Sequence, residues 1–151
     1  MRESNVLIHD EAGFQGMRKA GALAADVLDM ITEHVKKGTT TQMLDDICHE
    51  YIIKQGAVPA PLNYKGFPKS TCISLNHVVC HGIPGDRKLL SGDILNIDVT
   101  VILDGWYGDT SRMYYVDTPP IKSQRLTEVT YDCLMFGIEA AKPGNRLGDI
   151  G

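Results

Sequence analysis

"DILNIDVTVILDGWYGDTSR", residues 93 to 112, is the stretch whose reading decides the fold. Asp104-Gly105 between two apolar-rich runs is a strong signal for a two-residue hairpin turn. With those two residues as the turn, Leu103 pairs with Trp106, Thr100 with Asp109 and Asp98 with Ser111. Side chains alternate across a strand. Leu95, Ile97, Val99, Val101 and Leu103 therefore make one wholly apolar face, and Asn96, Asp98 and Thr100 share the other. Asp109 falls on the face of Asp98 as its diagonal cross-strand neighbour, with Cα atoms roughly 7–8 Å apart.

Two carboxylates so placed repel, or one takes up a proton. A divalent cation removes that penalty. Oxygen donors suit Mg, Mn, Fe or Co, and two ions about 3.5–4 Å apart can share a bridging carboxylate. Asp is depleted in strand interiors, which favours a purpose for the pair. The competing reading is plain solvent exposure on a half-open sheet, since exposed Asp is common. A three-residue turn with a bulge would move Asp109 to the opposite face.

Around the hairpin, the 151-residue chain is long enough for one domain with a substantial core. Its formal charge of −4, with no run of Lys or Arg, does not favour a nucleic-acid surface. No apolar run approaches a membrane span, and "MRESNVLIHDEAGF" lacks the apolar core of a secretion signal, so a cytoplasmic protein is expected. Cys48, Cys72, Cys80 and Cys133 form no C-x-x-C and are expected to be reduced and mostly buried.

Helical spacing of Phe14, Met17, Leu23, Val27, Leu28, Ile31 and Val35 predicts a helix from Asp10 or Glu11 to about Lys37, with Gly38 closing it. Arg18, Lys19 and Glu33 read as its solvated face. The threonines at 39 to 41 can cap a second helix with Leu44, Ile47, Tyr51 and Ile52 on one face, ending near Gly56. Residues 57 to 69 read as a loop, 70 to 81 as a strand, and about Ser123 to Ala141 as a third helix, broken by "KPG".

"HVVCH" sets His77 and His81 four apart, but Val78 occupies the place of the zincin glutamate. On a strand the two histidines share a face. A lone His81 is more often structural than catalytic. No phosphate loop, dinucleotide fingerprint or nucleophile elbow occurs.

"NYKGFPKSTCISLNHVVCHGIP" (63–84) and "GDILNIDVTVILDGWYGDTSRMYYV" (92–116) resemble the type I methionine aminopeptidases, with similarity from about Ile8 to Ile150. The resemblance implies a pita-bread fold of the α+β class, an antiparallel sheet with helices on one side. It implies two divalent ions (Co, Mn, Fe, Zn or Ni), with Asp98 holding one and Asp109 bridging both. His81 matches a catalytic histidine that contacts substrate. Tyr64, Phe67 and Cys72 match the pocket for the methionine side chain, although the family often has Tyr where Phe67 stands and His where Lys65 stands. Such a slot suits a thioether, partly through sulfur–aromatic contact. Asn76 and Val78 match positions whose backbone carbonyls hold a Na or K ion.

The family's metal shell also needs a histidine and two glutamates further along the chain. An internal echo points the same way: "KKGTTTQMLDDI" (36–47) and "KPGNRLGDI" (142–150) both set Lys-x-Gly before a helix start. Residues 1–151 are thus expected to be the N-terminal portion of one catalytic domain whose second half lies beyond. The implied function is removal of the N-terminal methionine from nascent chains, at the ribosome, by a monomer without nucleic-acid or membrane partners. A non-catalytic module of the same fold and an X-Pro aminopeptidase are the alternatives.

Overall fold

The computed structural model describes residues 7–151; the first six residues of the stretch searched above for a secretion signal lie outside them. The hairpin has the register read from its turn. Strands β3 (Ile94–Leu103) and β4 (Trp106–Tyr115) pair antiparallel, with Leu103 opposite Trp106, Thr100 opposite Asp109 and Asp98 opposite Ser111. Asp104 and Gly105 both take positive φ (52° and 83°), the conformation that a twist-matched two-residue turn demands. Along the other edge of β3, two short antiparallel strands lie end to end. β1 (Val58–Pro59) faces Val101 and Ile102, and β2 (Cys72–Leu75) faces Leu95 to Asp98.

The apolar face of β3 is the floor of the core. Leu95, Ile97, Val99 and Val101 are fully buried, with Leu103 packed at the margin. Helix α1 (Glu11–Ile31) covers this face, burying Ala20, Leu23, Ala24, Val27, Leu28 and Ile31. Asp10 caps it by accepting from Gly13 N (2.9 Å). Phe14 and Met17, expected in the core stripe, are instead each 47% exposed. The first half of the helix packs through its small residues. Gly13 and Gly16 make room for the Trp106 indole, and the Gly108 backbone lies directly on the carbonyl of Ala20. A bulky side chain on that face would hold helix and sheet apart.

α1 also ends earlier than its apolar spacing suggested, passing into a single 3-10 turn at Thr32–His34. The cause is competition for one carbonyl. Leu28 O accepts from the buried Tyr114 hydroxyl (2.6 Å) and from the Thr32 hydroxyl (3.0 Å), while Thr32 N turns to Asp29 O. Arg112 ties the same corner through Asp29 (2.7 Å). Gly38, at φ 92°, is therefore not a helix terminus; its N–H reaches Leu89 O.

Helix α2 (Thr41–Lys54) is capped by Thr40 and buries Leu44, Cys48 and Ile52, with Ile47 and Tyr51 at the margin of the core. The strand expected over 70–81 is cut to four residues. Asn76 takes φ 53°, and Val78 N folds back onto Leu75 O. His77 and His81 consequently share no strand face. Helix α3 (Ile121–Ala140) starts near the expected place but buries no residue: Leu126, Val129, Leu134 and Phe136 are all more than half exposed. The cysteines are all free, but only Cys48 and Cys72 are buried; Cys80 and Cys133 are exposed, against expectation.

Candidate active site

The polar face of β3 opens into a cleft of about 900 Å³. That is within the usual range for small-ligand sites, roughly 300–1,000 Å³. Asp98, Asp109, His81, Tyr64, Phe67 and Cys72 all line it. The strand alternation that buries Ile97 and Val99 presents Asp98 and Thr100 to the cleft, and β4 adds Tyr107 and Asp109 by the same period of two. Cys72 is the direct partner of Asp98 on β2. Tyr64 and Phe67 come from a tight loop closed by Asn63 N to Phe67 O (2.8 Å) and Phe67 N to Tyr64 O (3.0 Å).

The two carboxylates interact as their register requires. The Asp98 carboxyl is held above the ordinary aspartate value, first by burial, then by the charge of Asp109, with a side-chain hydrogen bond between the pair adding to it; His81 acts in the opposite sense. Without a cation Asp98 thus gives up its proton less readily than an isolated aspartate does. Burial, with the charge of Asp98 second, pushes the Cys72 thiol up to about 11. At neutral pH that sulfur is a neutral, soft wall rather than a thiolate.

His81 is pinned in place. Its φ of 52° is left-handed, a conformation costing a non-glycine residue about 1–3 kcal/mol. The neighbouring Gly82 supplies the restraint: Gly82 O accepts from Ile73 N (2.9 Å) and Gly82 N donates to the buried Ser74 hydroxyl (3.1 Å). A Cβ at Gly82 would collide with the Ile73 carbonyl, so the close approach requires glycine. Asn76 and Val78 stand outside the cleft, in the turn after β2. The Asn76 amide is occupied structurally, donating to Asp93 (2.8 Å) and accepting from Ile94 N (3.1 Å).

Thr100, set on the Asp98 face by the hairpin register, lines the cleft as well, and so do Tyr107 and Ile83, which were not singled out from the sequence. Thr100 and Tyr107 carried a usable signal, since each is two positions from a candidate aspartate on the same face. As cation donors, Asp98 and Asp109 fit a hard divalent ion in chemistry, being paired carboxylate oxygens whose mutual repulsion a cation would relieve. They fall short in number. Among the described residues no group of three or more His, Cys, Asp or Glu side chains is placed to hold a metal.

Comparison with known proteins bears on this site. The profile of metallopeptidase family M24 matches residues 15–151. A methionine aminopeptidase from Rickettsia prowazekii is 64% identical over 146 residues, covering 97% of this chain and 56% of that protein. The crystal structure of a Rickettsia prowazekii methionine aminopeptidase superposes with a TM-score of 0.94, covering 96% of this chain and 58% of the other. One from Thermotoga maritima, 32% identical, gives 0.91, with 96% and 59% covered. A prolidase from Pyrococcus furiosus, 21% identical, shares the fold at a TM-score of 0.79, with 95% and 41% covered. The chain spans about half the length of the curated relatives it matches.

Proposed function

From the premise that the chain belongs to metallopeptidase family M24, in the pita-bread fold, we propose that it is the N-terminal portion of a single catalytic domain that removes the initiating methionine from nascent polypeptides. The observation that carries the proposal is the meeting of Asp98, Asp109 and His81 in one cleft, within a chain 64% identical to a methionine aminopeptidase. The exposed apolar side chains of α3 and the short donor set support a second half that covers the one and completes the other.

In this reading Asp98 and Asp109 hold two divalent ions, drawn from Co, Mn, Fe, Zn or Ni. Such ions, when bound, lower the pKa of water and polarise the scissile carbonyl. His81 contacts the substrate beside the reacting bond from its pinned position. Tyr64, Phe67 and the neutral Cys72 thiol enclose an unbranched thioether side chain. The backbone carbonyls of Asn76 and Val78 hold a Na or K ion. The proposed setting is a cytoplasmic monomer acting at the ribosome, with no nucleic-acid or membrane partner. Among the described residues no helix is long and apolar enough to cross a membrane.

The test uses the full-length protein, stripped of metal and reloaded with Mn or Co. Release of methionine from Met-Ala-Ser is expected, with loss of bound metal in Asp109→Ala. Faster release from an X-Pro peptide would point to a proline-directed peptidase, and metal binding without turnover to a non-catalytic module. The 151-residue chain alone is expected to release nothing measurable.

A further inference from the structure

We infer that Thr100 is a positioning residue for Asp109, its hydroxyl fixing the direction of the carboxylate that the cation site uses. The inference rests on the metallopeptidase reading above and deepens it. Thr100 and Asp109 are direct cross-strand partners, and Thr100 Oγ1 donates to Asp109 Oδ1 at 3.1 Å. Both side chains line the cleft.

The two aspartates need different support. Asp98 is on the central strand, between Cys72 on one side and Ser111 on the other, and is half-buried. Asp109 is exposed on β4, which pairs only with β3 among the described residues. Its carboxylate has two side-chain torsions to fix, with the Asp98 carboxyl as its other neighbour. Thr100 supplies the restraint. Its own backbone is fixed, since β4 pairs on one side and Ala60 N donates to Thr100 O (2.9 Å) on the other. Its branched Cβ restricts χ1. A donor on a stiff stem, opposite an exposed acceptor, transfers the rigidity of the central strand to the edge. One Asp109 oxygen is thereby committed, which orients the other. Outer partners of this kind set metal affinity by roughly 10–100-fold.

Thr100→Val keeps the shape and strand preference and removes only the donor; Thr100→Ser keeps the donor on a looser stem. The experiment titrates Mn²⁺ into the ¹⁵N-labelled full-length protein, stripped of metal, and follows paramagnetic broadening of amides around Asp98 and Asp109. Thermal melts by circular dichroism run alongside. In the parent, localised broadening is expected. Thr100→Val should need about 10-fold more Mn²⁺ or above for the same effect, and Thr100→Ser less than about 3-fold more, with melts little changed. Should Thr100→Val fail to fold, Thr100→Ala provides the same deletion. Equal Mn²⁺ requirements in the parent and the donor-less variant overturn the role of Thr100 while leaving the metal site standing. A Ser variant as weak as Val removes the hydroxyl as the cause. No localised broadening in the parent at millimolar Mn²⁺ sinks the metal reading itself, and this inference with it.

Discussion

Asp45 offers the sharpest test of how the cleft is held. It is a buried carboxylate on α2, 4% exposed, and one of its oxygens accepts three hydrogen bonds. Oδ1 accepts from Ser70 N (3.1 Å), Thr71 N (2.8 Å) and the Thr71 hydroxyl (2.8 Å). Ser70 and Thr71 are themselves buried and lead directly into β2, where Cys72 faces the cleft. Asp45→Ala leaves three buried donors without an acceptor. At about 1–3 kcal/mol for each orphaned group, with some relief from entering water, the loss should be about 3–5 kcal/mol. That is a large share of a typical stability of about 5–15 kcal/mol. Asp45→Asn keeps a carbonyl oxygen at the same place and gives up only the charge assistance, so about 1–2 kcal/mol is expected. Urea unfolding by circular dichroism reads both, with the midpoint for Ala falling by about 2 M at unchanged slope. If Ala and Asn cost the same, acceptor geometry is not what matters. If both stay within about 1 kcal/mol of the parent, the three-bond account of this corner is wrong.

Three further outcomes follow from the geometry. Gly108→Ala should destabilise by about 3 kcal/mol or more, because its Cβ meets the Ala20 backbone, whereas Gly16→Ala meets the indole of Trp106, which can swing, and should cost less; urea midpoints of the pair decide. A thiol reagent at pH 8 should modify Cys80 and Cys133 quickly and Cys72 and Cys48 slowly, since the latter two are buried with thiols raised to about 11 and about 12; mass spectrometry of timed samples counts them. Asp98→Asn should stabilise the metal-free chain near neutral pH. The native carboxyl sits above the ordinary 3.8, so the folded state binds the extra proton and the parent loses stability as pH rises from 3.8 through the native value. The advantage of Asn should therefore shrink towards zero as pH falls below 3.8 in paired melts.

Where the sequence could be read, the reason was a strict local period. The Asp104-Gly105 turn and the alternation around it set register, buried face and site face together, and a slip of one residue would have put Ile97 and Val99 in solvent. Failures came where contacts are distant or side chains small. Val78 and Val79 look like strand residues, yet Asn76 in a left-handed conformation, stapled to Asp93, ends β2 before them. Phe14 and Met17 look like core residues, yet α1 meets the sheet through Gly13, Gly16 and Ala20, whose value lies in what they lack. Asp45 and Ser74 act on residues 26 and 8 positions away, and no local pattern marks such partners. The tight loop that carries Tyr64 and Phe67 showed only as a proline- and glycine-rich connection.

The same strand thus serves two opposed demands. Its inner face, Leu95 to Val101, is uniformly apolar and fully buried, as folding asks. Its outer face holds Asp98 against a second carboxylate, where burial and repulsion both work against the charged form that a cation would need. A sheet permits this because successive side chains point to opposite faces, so a strained site can be built one residue away from the core without opening it. The restraints on the site come from elsewhere: Gly82 and Ser74 on His81, and Thr100 on Asp109. Each links a cleft residue to β2 or β3, the strands whose other residues form the core. Substitutions at the outer face should therefore change what the cleft binds with little loss of fold. Substitutions at the restraints should leave the cleft's composition intact while degrading its geometry. A scan in which outer-face variants unfold the chain as readily as inner-face ones would contradict that separation.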